Sequence, residues 1–298
     1  MEYTFIGSSD LRISRIAMGC MSLGIEQDHI STIIGKAMDG GINFFDTADL
    51  YDKGLNEERV GTALKGKRQD VIIATKVGNQ WREDGSGWDW NPSKAYIVAS
   101  VEKSLQRLQT DYIDLYQLHG GTIDDPIDES IEAFESLKQQ GKIRWYGISS
   151  IRPNVIREWV SRSRMVSVMM QYSLLDRRPE EACLDLLQQH NIGVLARGSV
   201  AGGLLVNKEA KPYLGYGADE VTKAADAIKA ISNDDRQPAQ SAIRFVLQHG
   251  AISAAVVGIR NREQLEEAVR TINTNELTVK ELKALRESVP VNYYEQHR

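Results

Sequence analysis

The 298-residue sequence predicts an α/β fold, a (β/α)8 TIM barrel. Short apolar runs alternate with amphipathic stretches along nearly the entire chain. One run and the stretch that follows it span about 30 residues, which is the length of a βαβ unit. No linker rich in Pro, Gly or Ser interrupts the alternation, so we predict a single domain over residues 1–298. A doubly wound open sheet is the alternative, because alternation by itself does not show that a sheet closes.

Eight apolar runs are the predicted barrel strands. They are apolar on both faces, as the strands of a parallel sheet covered by helices must be. They comprise residues 16–19, 43–47, 71–75, 113–118, 143–148, 166–170, 192–196 and 254–257. Ahead of them, residues 3–7 and 12–16 predict a β-hairpin that caps the N-terminal end, the bottom, of the barrel.

The stretches between these runs have the periodicity of helices with one buried face. Residues 30–38, 97–108 and 127–137 space their apolar side chains three and four positions apart. Residues typical of helix ends agree with this interpretation. They are an N-cap at Asn91-Pro92, terminating glycines at Gly40-Gly41 and Gly141, and capping boxes at Asn261 with Gln264 and Thr278 with Glu281.

Charge and cysteine content narrow the classes of function. A formal net charge of −5, with Lys and Arg scattered along the chain, argues against binding to nucleic acid or to anionic membranes. The two cysteines, Cys20 and Cys183, cannot build a disulfide scaffold and suit a reducing compartment. The sequence shows no secretory signal and no apolar run near the ~18 residues of a membrane span. We therefore expect a cytoplasmic protein, and the sequence does not indicate its oligomeric state.

Several familiar nucleotide and catalytic motifs are missing. Gly215-Tyr216-Gly217 lacks the third glycine of a Rossmann fingerprint and follows no predicted strand. No Gly-x-Ser-x-Gly elbow occurs, and the five histidines form no HxH or HExxH pair, so we predict no metal. Any dinucleotide bound by this chain must therefore be held without a Rossmann loop.

Polar residues stand at the ends of three successive predicted strands. Asp46, Lys76 and His119 end the second, third and fourth barrel strands, and Tyr51 follows Asp46 on the next loop. Each taken singly has an ordinary structural explanation, such as a turn cap or a solvated strand end. In a β/α barrel, however, the C-terminal ends of neighbouring strands converge on the active site. We therefore expect the four side chains to meet in one pocket.

Their chemistry suits the reduction of a carbonyl group. Hydride delivery to the carbonyl carbon leaves charge on the oxygen, so a proton donor must stand beside it. A nearby cation stabilises the phenolate form of a tyrosine, and Lys76, oriented by Asp46, supplies that charge. His119 can hydrogen-bond the carbonyl oxygen or assist the proton transfer.

In these contexts and this order, Asp46, Tyr51, Lys76 and His119 resemble the catalytic tetrad of the aldo-keto reductase superfamily. The resemblance covers almost the whole chain and is closest to the bacterial general-stress and inositol-utilisation aldo-keto reductases. It implies a β/α barrel with NADPH extended across its C-terminal face. It also implies a small-molecule carbonyl substrate and Tyr51 as the proton donor.

The resemblance also implies the residues that hold the nicotinamide half of NADPH. Ser149 and Gln171 match the family's contacts to the carboxamide, whereas Ser150 replaces the usual Asn. Gly19 and Cys20 would lie beside the nicotinamide ribose, and Asp46 would also contact the cofactor. At the end of the seventh barrel strand, Arg197 stands where the family usually has an aromatic residue stacked on the ring. A guanidinium plane can also stack there, but it brings a positive charge.

The phosphates and the adenosine are assigned in the same way. Residues 198–204 resemble the segment whose backbone amides bind pyrophosphate, and residues 257–267 resemble the adenosine-phosphate clamp at a helix N-terminus. Ala268 replaces a frequent Asn of that clamp. The matching residues are Gly198, Val200, Ala201, Gly202, Gly203 and Lys208 for the first segment, and Gly258, Arg260, Gln264 and Glu267 for the second.

Three tryptophans, Trp81, Trp88 and Trp90, lie in the loop after the third barrel strand. They either wall the substrate pocket, with Trp81 as the contact residue, or pack the loop onto the barrel. For the whole protein, the leading hypothesis is an NADPH-dependent aldehyde or ketone reductase. The alternative is a redox-sensing regulatory subunit that binds NADPH and turns over slowly. A metal-dependent barrel hydrolase or isomerase is disfavoured by the missing histidine pairs.

Overall fold

Alternating strands and helices run through the structure, a computed structural model that describes all 298 residues. The strands are β1 Tyr3–Phe5, β2 Arg12–Ser14, β3 Ile16–Gly19, β4 Phe44–Asp46, β5 Ile72–Val77, β6 Asn79–Trp81, β7 Trp88–Trp90, β8 Ile113–Leu118, β9 Ile143–Ser149, β10 Ser167–Gln171, β11 Gly193–Arg197 and β12 Ile252–Gly258. The helices are α1 Gln27–Asp39, α2 Leu55–Ala63, α3 Lys94–Leu108, α4 Ile127–Gln139, α5 Pro153–Arg162, α6 Cys183–Gln189, α7 Ala218–Ala230, α8 Pro238–Leu247, α9 Arg262–Arg270 and α10 Val279–Ser288. None of these helices combines the length and the apolar character that a membrane crossing needs.

Eight parallel strands close into a barrel. Their order is β3, β4, β5, β8, β9, β10, β11 and β12, and β12 pairs in parallel with β3, Gly258 opposite Gly19. This last pairing closes the sheet, so the predicted TIM barrel is confirmed and the open doubly wound sheet is wrong. Apolar side chains fill the layer between the strands and the surrounding helices, and a smaller apolar cluster fills the barrel's interior.

The N-terminal hairpin closes the bottom of the barrel, as the sequence predicts. Strands β1 and β2 pair antiparallel, and the side chains of Ile6, Leu11 and Ile13 are buried against the barrel interior. The amide of Ser14 donates to the Asn43 side chain at 2.7 Å, at the start of β4. The hairpin strands end at Phe5 and Ser14, earlier than predicted, because the chain turns at Gly7 after β1 and passes into the barrel strand β3 after β2.

Most predicted boundaries differ from the structure by one or two residues, as expected for strand and helix ends. One helix start is wrong. Helix α3 begins at Lys94 with Ser93 as its N-cap, and the Ser93 side chain accepts from the amide of Tyr96. The Asn91 side chain instead accepts from the Ser93 amide and hydroxyl, so it supports the turn that leads into the cap.

A second small hairpin, made of β6 and β7, was not predicted. It lies in the tryptophan-rich loop after β5, and it pairs Trp81 with Trp88 and Asn79 with Trp90. Its sequence does carry a strand signal, because Trp88-Asp89-Trp90 alternates and Gly85 permits a turn at a φ of 70°. The hairpin stands at the C-terminal end of the barrel, beside the loop that carries Tyr51.

Candidate active site

The ends of β4, β5 and β8 bring Asp46, Lys76 and His119 together. Asp46 is the last residue of β4, Lys76 precedes the last residue of β5, and His119 directly follows β8. The ladder continues past β8, because the His119 amide donates to the Val77 carbonyl oxygen at 2.7 Å. Tyr51 opens the segment that leads into α2. The four side chains therefore meet at the C-terminal end of the barrel.

A buried ion pair is the centre of this group. The Lys76 Nζ atom donates to Asp46 Oδ2 at 2.7 Å and to the Thr47 carbonyl oxygen at 2.8 Å. Burial lowers the pKa of Lys76, but the charges of Asp46 and Tyr51 more than offset this, and its pKa lies above the ordinary value. Burial raises the pKa of Asp46, with Lys76 opposing the increase. Lys76 is therefore a charged ammonium at neutral pH, held in place by two acceptors.

Lys76 also contacts Tyr51, whose ring lies against His119. The Lys76 Nζ atom donates to the Tyr51 hydroxyl at 3.4 Å, and the ring centroids of Tyr51 and His119 are 5.8 Å apart in an edge-to-face arrangement. Burial lowers the pKa of His119 to about 3, and the charges of Lys76 and Arg197 add to this decrease. The imidazole is therefore neutral at physiological pH, and it can accept or donate a hydrogen bond without carrying charge.

A cavity of about 750 Å³ opens above these residues. Tyr51 and His119 line it together with the ends of β9, β11 and β12, and it reaches as far as the start of α9. Of the residues named from the sequence, it is lined by Gly19, Asp46, Tyr51, His119, Ser149, Ser150, Arg197, Gly198, Val200, Gly202, Gly203, Lys208, Gly258, Arg260 and Gln264. The structure thus brings three of the four predicted catalytic residues and most of the predicted cofactor contacts to the wall of one cavity.

Some residues named from the sequence lie outside the cavity wall. Lys76 lies beneath it, within reach of Tyr51. Cys20 and Ala201 are almost completely buried, and burial raises the pKa of the Cys20 thiol, which leaves an unreactive side chain. Glu267 is partly buried on α9, where its carbonyl oxygen accepts from Gln240 at 3.1 Å. Gln171 is not part of the cavity wall, and its Oε1 atom accepts from Arg197, which is.

Trp81, the predicted substrate contact, also lies outside the cavity wall. Its indole nitrogen donates to the Leu50 carbonyl oxygen at 3.2 Å, and the Lys53 ammonium lies 5.2 Å from its ring centroid. Trp81 therefore contacts the segment on both sides of Tyr51. Trp90 is likewise a packing residue, because its indole donates to Asp125 and its ring lies against Gly78 and Gly120. These contacts favour the second interpretation of the tryptophan-rich loop, which is packing.

The segment after β11 is a glycine-rich turn beside the cavity. Gly198, Gly202 and Gly203 adopt left-handed conformations with φ of 76°, 66° and 100°, which suits glycine. Ser199 belongs to the same segment and lines the cavity with a buried hydroxyl that has no hydrogen-bond partner. The Lys208 side chain folds back against Gly203.

The start of α9 forms the far part of the cavity. The Asn261 side chain caps the helix by accepting from the Gln264 amide at 2.9 Å. The return bond predicted for a capping box is shifted by one residue, because Gln264 Oε1 accepts from the amide of Arg260 at 3.0 Å. This bond holds the backbone of Arg260 against the helix N-terminus. The Arg260 side chain has no acidic partner.

Sequence reasoning missed several residues of the cavity wall. Met21, Ser22, Leu50, Gly120, Gly121 and Arg152 all line it. Most of them follow directly on barrel strands, so their position after a strand end was the available signal. Nowhere in the structure do three or more His, Cys, Asp or Glu side chains form a group suited to a metal ion.

Comparisons with known proteins identify the family. The sequence matches the Aldo/keto reductase family over residues 15–290. It is 50% identical to the uncharacterized oxidoreductase YqkF of Bacillus subtilis, over 98% of each chain. It is 29% identical to the L-glyceraldehyde 3-phosphate reductase of Escherichia coli, over 95% of this chain and 90% of that protein. The holo form of aldo-keto reductase AKR11C1 from Bacillus halodurans superposes with a TM-score of 0.94 at 50% identity, covering 100% of this chain and 99% of that one.

Proposed function

The chain belongs to the Aldo/keto reductase family, and from this premise we propose that it uses NADPH to reduce aldehydes or ketones to alcohols, with Tyr51 as the proton donor. Membership makes it an oxidoreductase that acts on carbonyl compounds with a nicotinamide cofactor. The choice of NADPH and the role of each residue are the proposal. The observation that carries it is the contact at 3.4 Å between the Lys76 ammonium and the Tyr51 hydroxyl, at the edge of the cavity.

The cavity fits an extended dinucleotide. The Asp46 Oδ1 atom and the Ser199 hydroxyl are buried at the cavity wall without a hydrogen-bond partner. The Asp46 oxygen can accept from a hydroxyl of the cofactor, and the Ser199 hydroxyl can donate to a phosphate. Lys208 and Arg260 supply positive charge for phosphates, and Arg260 has a backbone position beside a helix N-terminus. When bound, NADPH supplies the hydride.

The protein's own residues then manage the carbonyl oxygen and the proton. His119, as a neutral imidazole, holds the carbonyl oxygen beside the Tyr51 hydroxyl. Tyr51 donates its proton to that oxygen, and the Lys76 ammonium stabilises the phenolate that remains. Asp46 keeps Lys76 charged and oriented through the bond at 2.7 Å. Because Lys76 and Asp46 are buried, water is excluded from the side of Tyr51 that faces them.

A screen of aldehydes, ketones and sugars, read by the loss of NADPH absorbance, tests the proposal. We expect turnover with at least one class of carbonyl compound and a lower KM for NADPH than for NADH. Absence of turnover with every compound, in protein that retains stoichiometric NADPH through purification, would contradict the reductase and favour a redox-sensing regulatory subunit. Matched assays with the Tyr51→Phe variant show whether any observed turnover comes from this site.

A further inference from the structure

The oxygen and the nitrogen of the Gln171 side-chain amide both form hydrogen bonds with other side chains of the protein. Its Oε1 atom accepts from Arg197 Nη1 at 2.9 Å, and its Nε2 atom donates to the Tyr213 hydroxyl at 2.8 Å. The orientation of the amide follows from chemistry, because a guanidinium only donates and must therefore face the oxygen. The three residues form a chain of hydrogen bonds from Arg197 at the cavity wall to Tyr213 behind it.

Tyr213 belongs to a turn that is strained at an exposed position. Tyr213 and Tyr216 exchange two backbone hydrogen bonds at 3.0 Å, and between them Leu214 adopts a left-handed conformation with a φ of 48°. For a residue with a side chain this conformation costs about 1 kcal/mol or more. Leu214 is 37% exposed, so only part of its side chain is buried. The turn is anchored on its other side, where the Tyr216 hydroxyl donates to the Pro290 carbonyl oxygen at 2.6 Å.

Arg197 lies at the reactive end of the cavity. It ends β11, lines the same cavity as Tyr51 and His119, and its charge contributes to the lowered pKa of His119. A hydride can reach a carbonyl carbon held by Tyr51 and His119 only if the nicotinamide ring lies at this end. The position of the Arg197 guanidinium therefore affects the charge around the ring.

We propose that Tyr213 is a positioning residue which, through Gln171, holds the Arg197 guanidinium at the nicotinamide end of the cavity. This rests on the proposed function, because it assumes that a nicotinamide cofactor binds there. The oxidised nicotinamide ring is positively charged and the reduced ring is neutral. A guanidinium held in place disfavours the oxidised ring relative to the reduced one. The strained turn is maintained because it presents the Tyr213 hydroxyl to Gln171.

Tyr213→Phe removes the acceptor of the Gln171 Nε2 group and keeps the ring. The Gln171 side chain can then rotate, and its hydrogen bond with Arg197 holds the guanidinium less firmly. We expect NADP⁺ to bind more tightly relative to NADPH, by about 2- to 10-fold in the ratio of the two Kd values, the range of one neutral hydrogen bond. Both Kd values are measured by titration on one preparation. If part of the variant is unfolded, this affects both Kd values equally, and their ratio does not change.

Two variants separate positioning from a general structural effect. Tyr216→Phe removes the other hydroxyl of the same turn, which bonds Pro290 and does not contact Gln171, and we expect it to keep the wild-type ratio. In a Gln171→Leu background, Tyr213→Phe should add no further change, because the residue through which it acts is gone.

A wild-type ratio in Tyr213→Phe would overturn the proposal. So would an equal shift in Tyr216→Phe, or a full additional shift in the Gln171→Leu background. The failure of the proposed function has a different signature, because wild-type protein would then show no turnover of carbonyl compounds, which the ratio of the two Kd values does not measure.

Discussion

The Nζ atom of Lys76 lies 3.4 Å from the hydroxyl oxygen of Tyr51, although 24 residues separate the two in the chain and Lys76 is 1% exposed. Few arrangements keep an ammonium group so deeply buried. Here Asp46 and the Thr47 carbonyl oxygen accept two of its protons, which leaves the third directed at the phenol.

Tyr51→Phe should lower turnover by about 10²- to 10⁴-fold, because it removes the proton donor and keeps the ring. NADPH affinity should stay near the wild-type value. Steady-state kinetics and a cofactor titration check the two expectations. Tyr96→Phe is the matched control, since that hydroxyl is half-buried, donates to the Asn79 carbonyl oxygen at 3.4 Å and lies outside the cavity. Near-wild-type turnover in Tyr51→Phe would remove this residue from its proposed role.

Lys76→Met should lower the free energy of unfolding by about 3 kcal/mol, because it leaves the buried Asp46 carboxylate without its partner. Urea unfolding at neutral pH measures the change. Lys142→Met breaks the ion pair with the half-exposed Glu102 and should cost about 1 kcal/mol or less. Adding Asp46→Asn to Lys76→Met should restore part of the loss. Equal losses of unfolding free energy in Lys76→Met and Lys142→Met would mean that the buried pair contributes no more to stability than the exposed pair.

His119 makes the stability of the fold depend on pH in a defined direction. Its pKa is about 3 in the folded protein, below the ordinary value of 6.5, so between these values the unfolded chain binds a proton that the folded protein does not. Stability should therefore fall as the pH decreases from 6.5, by up to about 1.4 kcal/mol per pH unit from this residue. His119→Asn should show a shallower slope between pH 5 and pH 7 in urea unfolding. Parallel slopes in the variant and the wild type would contradict the neutral, buried imidazole.

Arg260→Ala should weaken NADPH binding by about 10- to 100-fold and leave NADH binding almost unchanged. The 2′-phosphate of NADPH carries about two negative charges, and a charge-assisted hydrogen bond contributes about 1.5–3 kcal/mol. Arg262→Ala is the control, because Arg262 lies on the same helix turn but is exposed and paired with Glu266 at 2.6 Å. Titration of both coenzymes decides the matter. A similar loss for NADPH and NADH would show that Arg260 does not bind the 2′-phosphate.

Trp81→Phe should lower turnover by about 2- to 10-fold for small and bulky carbonyl compounds alike. The substitution removes the hydrogen bond from the indole to the Leu50 carbonyl oxygen, next to Tyr51, and keeps most of the ring's packing. Trp88→Phe changes the paired position of the same hairpin and should have little effect. A change in substrate preference, in place of a uniform decrease, would support the substrate wall predicted from the sequence.

Much of the site was predictable because it depends on the ends of parallel strands. The apolar runs place Asp46, Lys76 and His119 at three successive strand ends, and neighbouring parallel strands carry those ends to one side of the sheet. The convergence of these side chains thus follows from local periodicity. Arg260 at a helix N-terminus was likewise visible in the sequence, because the capping residue Asn261 follows it directly.

Only the tertiary structure decided the rest, because it depends on contacts between distant segments. Closure of the barrel requires β12 to reach β3, and no local pattern encodes that pairing. Trp81 faces Leu50 and not the cavity, because it pairs with Trp88 across a hairpin that fixes its direction. The neutral state of His119 comes from burial by several elements together. The chain from Arg197 through Gln171 to Tyr213 joins residues of a strand end and a turn 42 positions apart. A hydrogen bond between such residues exists only where the fold brings both groups to one place and excludes competing water.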